Sequence, residues 1–228
     1  MCHLLSPMPF GAVNLSHRIA VAAEPLFRAG RPFEEILRHY RGAASPGGLL
    51  LAEPASVCGA TPPGIRTESE VIAWRRLVDE VQARGGRVIL PLYHHDPDRD
   101  AAGAFELSAR RAKAAGFDGV EIDAAHMSPA LLLDVAEAVH AIWGKGRIGV
   151  RLSVFAPAPL PFLAAELNRF AGCFLHLADD ATPPAELRRV FHGPIVAGAD
   201  LDEAAAEALI AARYADLVAP YSAAARRV

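Results

Sequence analysis

The sequence has few cysteines and no long apolar run, and each absence excludes a class of protein. Cys2, Cys58 and Cys173 are the three cysteines among 228 residues, and without a CxxC pair they indicate a reducing compartment rather than a disulfide framework. No stretch approaches the roughly 20 consecutive apolar residues that cross a bilayer. The first fifteen residues lack the basic and apolar segments of a secretory signal, so we expect a cytoplasmic protein.

Charge of one sign is not concentrated anywhere along the chain. The formal net charge is −3, and the 23 lysines and arginines are scattered. Nucleic acids and anionic membranes attract clustered basic side chains, so neither is expected as a partner. No linker or low-complexity tract divides the chain, which predicts a single domain over residues 1–228. The expected partner is a small apolar molecule, and pairing of two copies into a homodimer is left open.

Short apolar runs alternate with segments of helical periodicity, which is typical of parallel β/α units. Most of the runs are continuously apolar, as in strands that are buried on both faces. No glycine-rich dinucleotide loop follows the first run, which argues against an open doubly wound sheet. The sequence therefore predicts an α/β fold, a shortened (β/α)8 TIM barrel. The predicted strands are Ile19–Ala22, Gly48–Glu53, Arg87–Leu92, Gly119–Ile122, Ile148–Leu152, Cys173–Leu177, Ile195–Ala197 and Leu217–Ala219, and the predicted helices are Glu34–Arg41, Glu68–Arg84, Phe105–Ala115, Pro129–Ile142, Pro161–Arg169, Pro184–Phe191 and Asp202–Arg213.

Polar residues follow most of the predicted strands, at the end of the barrel where enzymes of this fold carry their active sites (the mouth). An apolar strand that ends in His, Asp or Arg must face a polar cavity or bury a charge at considerable cost. We therefore expect a site at the mouth. The strand-end residues are Glu24, Glu53, Tyr93, His94, His95, Asp123, His126, Arg151, Ser153, His176, Asp179 and Tyr221.

Four of these residues have both a chemical and a structural interpretation. Asp123 and His126 lie three residues apart, and a carboxylate beside an imidazole can build a general base; alternatively, Asp123 caps the following turn. Arg151 lies among apolar neighbours, where it either serves a ligand or forms an internal ion pair with Glu121 or Asp123. His176 is either functional or hydrogen-bonded in the core.

The run YHHDPDRD, which begins at Tyr93, mixes histidine and aspartate and invites a metal interpretation. Adjacent histidines on a strand point to opposite faces, so they do not readily bind one ion, and the Asp-Pro turns favour a loop. We expect no metal and keep His94, which shares the parity of Leu92, as a candidate facing the barrel interior. Glu24 and Glu53 follow the first two strands and either face the mouth or are solvated acids.

Several ordered segments of the chain resemble the Old Yellow Enzyme family of flavin-dependent ene-reductases. Among them are TPPGIRTESEVIAWRRLVDEVQARGGRVILPLYH, AKAAGFDGVEID and IGVRLSV, and the likeness runs nearly end to end. The resemblance implies the same (β/α)8 barrel and FMN as the family's cofactor. It also implies that Arg151 occupies the position facing the flavin pyrimidine and that Gly198 lies near the phosphate.

Other positions depart from the family pattern. The resemblance implies that a glutamine contacts the flavin ring where this chain has Pro91. The resemblance further implies that a Gly-Arg pair binds the flavin phosphate where this chain has Pro220 and Tyr221. It also implies a proton-donating tyrosine at the position of Ser128. A long insertion after the fourth strand is also missing. One matched arginine does not hold a phosphate, which needs several donors, so these departures favour loss of the flavin site.

We therefore expect no cofactor, and a flavin-independent cyclase that acts without net redox change on an apolar, carbonyl-containing, polyketide-like substrate in bacterial secondary metabolism. In this interpretation Asp123 and His126, which replace the family's carbonyl-binding His and His/Asn pair, transfer protons, and Arg151 stabilises a carbonyl or enolate. The alternatives are an FMN-dependent ene-reductase with relaxed flavin contacts and a non-catalytic binding protein. The predicted substrate-binding residues are Glu24, Glu53, Tyr93, His94, His176 and Tyr221.

Overall fold

A short antiparallel hairpin precedes the barrel. Its strands are β1 (Met8–Phe10) and β2 (Val13–Leu15). The turn between them contains Gly11 with a φ of +58°, and a Cβ at that position would overlap the carbonyl of Gly146, so the close approach requires glycine. The N–H of Ala12 donates to the same carbonyl at 2.9 Å. The computed structural model describes residues 3–59, 63–95, 100–152, 160–177, 183, 185–198 and 201–219.

Eight parallel strands follow one another around the barrel in chain order. A parallel bridge between Ile19 and Val218 closes the ring, and the N–H of Val218 donates to the carbonyl of Arg18 at 3.0 Å. The predicted (β/α)8 barrel is therefore confirmed. The strands are β3 (Ala20–Ala22), β4 (Leu49–Leu51), the two-residue β5 (Ala55–Ser56) beside the next barrel strand, β6 (Arg87–Tyr93), β7 (Gly119–Asp123), β8 (Ile148–Leu152), β9 (Phe174–Leu177), β10 (Ile195–Ala197) and β11 (Leu217–Val218).

Helices connect the barrel strands and begin and end at residues that favour those positions. Thr67 and Glu70 form a capping box at the second helix. Ser128 accepts the N–H of Leu131 at the fourth, and Gly116, with a φ of +93°, ends the third. No helix of the described ranges has the length and apolar character of a membrane span. The helices are α1 (Phe33–Ala43), α2 (Glu68–Gln82), α3 (Ala101–Ala115), α4 (Pro129–Trp143), α5 (Leu160–Leu167), α6 (Leu187–Val190) and α7 (Glu203–Ala211).

The strands divide the core into an outer and an inner part because alternate side chains point to opposite faces of a strand. Outward side chains such as Leu50, Leu90 and Ile122 pack with the helices in the largest buried cluster. Inward side chains pack with the hairpin, and the rings of Phe10 and Phe174 lie 4.9 Å apart between centroids. The hairpin therefore fills the amino end of the barrel, which leaves the mouth as the place for a site.

Candidate functional site

Ionisable side chains lie on the inward faces of three neighbouring strands, above the apolar inner cluster. Phe174 of β9 belongs to that cluster, so His176, two residues later, also faces inward. The register pairs His176 with Arg151 of β8, and Arg151 with Asp123 of β7. The three side chains therefore lie at one level of the barrel interior, close to where the strands end.

Asp123 and Arg151 form an ion pair across adjacent strands. Nη1 of Arg151 lies 3.3 Å from Oδ2 of Asp123, while Oδ1 accepts the N–H of Ala125 at 3.1 Å. The Arg151 side chain is 22% exposed and that of Asp123 is 19% exposed. The carboxylate thus both caps the turn after β7 and balances the charge of Arg151. Of the partners weighed for Arg151 from the sequence, Asp123 is the one it contacts.

His126 does not join this pair. It is exposed, and within the described part of the chain no hydrogen bond or ion pair connects it to Asp123. The carboxylate is oriented by the cross-strand arginine and by the backbone of the following turn. A proton-transfer role for Asp123 with His126 stays a prediction.

A second, fully buried pair lies beneath the mouth. Nδ1 of His176 lies 2.9 Å from Oε2 of Glu121, and the two side chains are 2% and 1% exposed. Nε2 of His176 is buried without a hydrogen-bond partner, and a Cβ at Gly198 would come within 2.6 Å of it. The sequence singles out Glu121 only as a partner for Arg151. The inward position of Glu121 could have been predicted from the sequence. In the strand segment GVEID, Glu121 and Asp123 are two residues apart and therefore share one face of the strand.

Glu53 anchors the loop that follows β3. Its carboxylate accepts the backbone N–H of Phe27 at 2.8 Å and that of Arg28 at 3.0 Å, and Nε of Arg28 lies 4.0 Å away. Burial raises the pKa of the Glu53 carboxyl above its ordinary value, and the hydrogen bonds from the loop offset part of that rise. Glu53 is therefore a buried carboxylate that organises backbone, not a solvated acid.

Glu53→Gln is expected to lower the free energy of unfolding by about 1–3 kcal/mol, because an amide offers one acceptor oxygen to two N–H donors. A carboxyl with a raised folded pKa contributes stability that is complete below its unfolded pKa and is lost as the pH rises through the folded pKa. The difference in the free energy of unfolding between the unchanged chain and the variant, measured by urea unfolding, should therefore be larger at about pH 4 than at pH 7. Glu24→Gln, at an exposed carboxyl of the same loop, is the control. A difference in the free energy of unfolding that grows as the pH rises would contradict the raised pKa assigned to Glu53.

Arg28, which the sequence did not single out, lies over Tyr93 at the mouth. Its guanidinium carbon is 5.1 Å from the centroid of the Tyr93 ring, and the ring of His95 meets the tyrosine edge-on at 5.0 Å. Tyr93 ends β6 on the same face as Ile89 of the inner cluster, so it faces inward. Finding Arg28 from sequence would have required knowing that the buried Glu53 fixes its loop.

The remaining candidates are less centrally placed. Leu92 packs in the outer cluster, so the inward parity assumed for Leu92 is wrong. The strand β6 ends at Tyr93, before His94, and a site role for His94 stays a prediction. Glu24 is exposed. No group of three or more metal-ligating side chains occurs within the described ranges. Ser153, Asp179 and Tyr221 lie outside the described residues.

Comparison with known proteins finds reductases. The chain is 26% identical to 12-oxophytodienoate reductase 1 of Oryza sativa subsp. japonica over 95% of the chain and 81% of the relative. It is 28% identical to 12-oxophytodienoate reductase 2 of Arabidopsis thaliana over 77% and 70%. A solved variant of NCR from Zymomonas mobilis, a protein described as an old yellow enzyme homologue, is 27% identical with a TM-score of 0.81, covering 96% of this chain and 86% of that one. No family model matches the chain.

These relatives correct the functional expectation drawn from the sequence. The prediction of a cyclase or isomerase is wrong, because the matched proteins are named as reductases, and nothing in the comparison supports a polyketide substrate. The expectation of a flavin-independent protein without cofactor is wrong for the same reason. The alignment with the rice relative runs over 311 positions although the chain has 228 residues, so that relative carries segments with no counterpart here, in agreement with a shortened barrel.

Proposed function

Because the chain is a shortened member of the Old Yellow Enzyme family, we propose that it is an FMN-dependent ene-reductase, which reduces a carbon–carbon double bond conjugated to a carbonyl group. The observation that carries the proposal is the inward position of Arg151 at the mouth. There the resemblance implies an arginine facing the flavin pyrimidine, and the ion pair with Asp123 keeps this guanidinium in place.

Two features of the described mouth fit a bound flavin. Arg151 offers a cationic planar donor group to carbonyl and ring-nitrogen acceptors. At the end of β10, Gly198 carries no side chain, and a Cβ there would press against His176 and the carbonyl of Leu177. The missing side chain at Gly198 therefore makes room for the ring of His176, on the side of the barrel where the resemblance puts the phosphate. Nε2 of His176, which is buried without a hydrogen-bond partner, lies next to the same glycine and gives this side of the barrel a polar group.

One feature limits how tightly the flavin is held. Pro91 lies opposite Glu121 in the β6–β7 ladder, and proline offers neither a side-chain donor nor an N–H. A hydrogen bond donated to the ring from this position is therefore excluded. We infer that FMN binds through fewer contacts than in a site with a glutamine there, and that it exchanges with free FMN.

Bound FMN would supply the hydride for the reduction after being reduced by a nicotinamide nucleotide. Arg151 would hold the pyrimidine side of the ring, and Asp123 would keep the guanidinium from turning away. The buried pair of Glu121 and His176 lies below and fixes the interior of three strands against one another. Preorganised charges of this kind act strongly in a water-poor cavity because they need no reorganisation during the reaction.

The proposal is tested by loading the purified chain with FMN and passing it through a desalting column. We expect a visible flavin band to elute with the protein, to bleach with NADPH in the absence of oxygen and to return when an enone such as 2-cyclohexenone is added. Riboflavin, which lacks the phosphate, is the matched ligand control and should be retained less. A protein that stays colourless after loading and does not oxidise NADPH in the presence of FMN and enone would refute the proposal.

A further inference from the structure

The position at which the family pattern has a proton-donating tyrosine does not offer an acid in this chain. Ser128 occupies it, and its hydroxyl oxygen accepts the N–H of Leu131 at 3.3 Å as the N-cap of α4. The serine is exposed, and its hydroxyl is a far weaker acid than a phenol. The nearby His126 is exposed as well. A reduction that adds hydride and proton to a double bond therefore needs another donor.

Tyr93 presents a hydroxyl with the required placement. The register of β6 and β7 pairs Leu92 with Ile122, which puts Tyr93 at the level of Asp123 and hence of Arg151. Because it shares the inward face of β6 with Ile89 of the inner cluster, its ring turns toward the barrel interior. The side chain is 8% exposed, and its hydroxyl is buried without a hydrogen-bond partner.

The environment of this hydroxyl is unusual for a structural tyrosine. Buried tyrosine hydroxyls usually find a partner, since leaving a polar group unpaired in the interior is unfavourable. Tyr40 illustrates the ordinary case, because its hydroxyl accepts the N–H of Glu53 at 2.9 Å. At Tyr93 the hydroxyl has no such partner, and the face of the ring is covered by the guanidinium of Arg28 in a cation–π contact. Glu53 fixes the loop that carries this cation.

We propose that the hydroxyl of Tyr93 is the proton donor of the reduction, an inference that rests on the proposed function. Reduced FMN, when bound, would supply the hydride for a new C–H bond at the β-carbon of the enone, and the electron pair of the double bond would move toward the carbonyl. The O–H bond of Tyr93 then breaks and a C–H bond forms at the α-carbon. The phenolate that remains beside Arg28 regains a proton from water. Tyr93 is a catalytic residue in this step, and Arg28 and Glu53 are positioning residues.

The test compares Tyr93→Phe with the unchanged chain in the two half-reactions, both followed anaerobically by the flavin band. Loss of a positioned proton donor lowers the rate of its step by about 10²- to 10⁴-fold, so reoxidation of reduced flavin by 2-cyclohexenone should slow by at least about 10²-fold. Reduction by NADPH should change little, because it uses no proton from the enone side. In D2O the unchanged chain should show a slowing of reoxidation that the variant loses.

Two readouts outside catalysis separate this role from a structural one. FMN retention on the desalting column and the urea midpoint of the apoprotein should not fall in Tyr93→Phe, since the hydroxyl removed has no partner. Tyr214→Phe, at a tyrosine that is 37% exposed, is the matched control and should leave both half-reactions unchanged. Equal reoxidation rates in Tyr93→Phe and the unchanged chain would overturn the proton-donor assignment alone. An unchanged chain that neither retains FMN nor oxidises NADPH in the presence of FMN and enone would overturn the proposed function and this inference together.

Discussion

Arg151→Ala is expected to abolish retention of FMN on a desalting column and to lower enone-dependent NADPH oxidation by about 10²- to 10³-fold, the usual effect of removing one preorganised donor from an active site. The guanidinium is the cationic group that β8 contributes to the inward face at the mouth. Its substitution also leaves Oδ2 of Asp123 without the ion pair at 3.3 Å. The site then presents an uncompensated carboxylate to an anionic cofactor, which adds to the loss.

Two companion variants separate loss of the contact from loss of charge balance. Arg151→Lys keeps the charge but not the planar fork, and it should retain part of the FMN affinity. Arg147→Ala removes an arginine that precedes the same strand, where it donates to the carbonyl of Asp118 at the amino end of the barrel, and it should not affect FMN. If Arg151→Ala retains FMN as well as Arg147→Ala does, the flavin is held elsewhere and the proposed site is refuted.

The fold was predictable because its signals are local and repeated. Each of the eight predicted strands is present, and every boundary agrees within two residues. The largest strand difference is at Gly48–Glu53, where the ladder spans only Leu49–Leu51. There the N–H of Glu53 leaves the ladder to donate to the hydroxyl of Tyr40. That contact depends on how α1 packs against the barrel, and the apolar periodicity of the strand does not reveal it.

The site was less predictable because its contacts run across strands. Asp123 and His126 are close in sequence, yet Asp123 pairs with Arg151, 28 residues away, because the strand register puts them side by side. The parity error at Leu92 has a related cause. In a parallel barrel both faces of a strand are apolar, so the sequence of β6 does not reveal that Leu92 faces outward.

The functional expectation failed for a different physical reason. Missing side chains such as the glutamine replaced by Pro91 remove single hydrogen bonds, and each typically contributes only about 0.5–1.5 kcal/mol net. Backbone groups, shape and burial of the ring also hold a cofactor, and none of them is visible as a motif. A list of lost side chains therefore predicts weaker binding more safely than it predicts no binding.

Glu121→Leu is expected to lower the free energy of unfolding by about 3–5 kcal/mol, the typical cost of removing one partner from a buried polar pair. The remaining His176 would have neither ring nitrogen bonded, since Nε2 already lacks a partner and Nδ1 would lose the contact at 2.9 Å. His176→Leu should lower the free energy of unfolding by a similar amount because it leaves the carboxylate of Glu121 buried without its partner. The urea midpoint of the apoprotein measures both effects without any cofactor.

The double variant Glu121→Leu/His176→Leu decides whether the two side chains act as a pair. Removing both partners leaves neither polar group buried without a partner. The double variant should therefore lose clearly less free energy of unfolding than the sum of the losses of the two single variants. Glu137→Ala, at a carboxylate that is 71% exposed and paired with Arg169 on the surface, is the matched control and should cost under about 1 kcal/mol. Strictly additive losses would contradict the pairing. A coupled result would show that β7 and β9 are held together across β8 by this hydrogen bond, and that the level of the barrel beneath Arg151 is rigid for that reason.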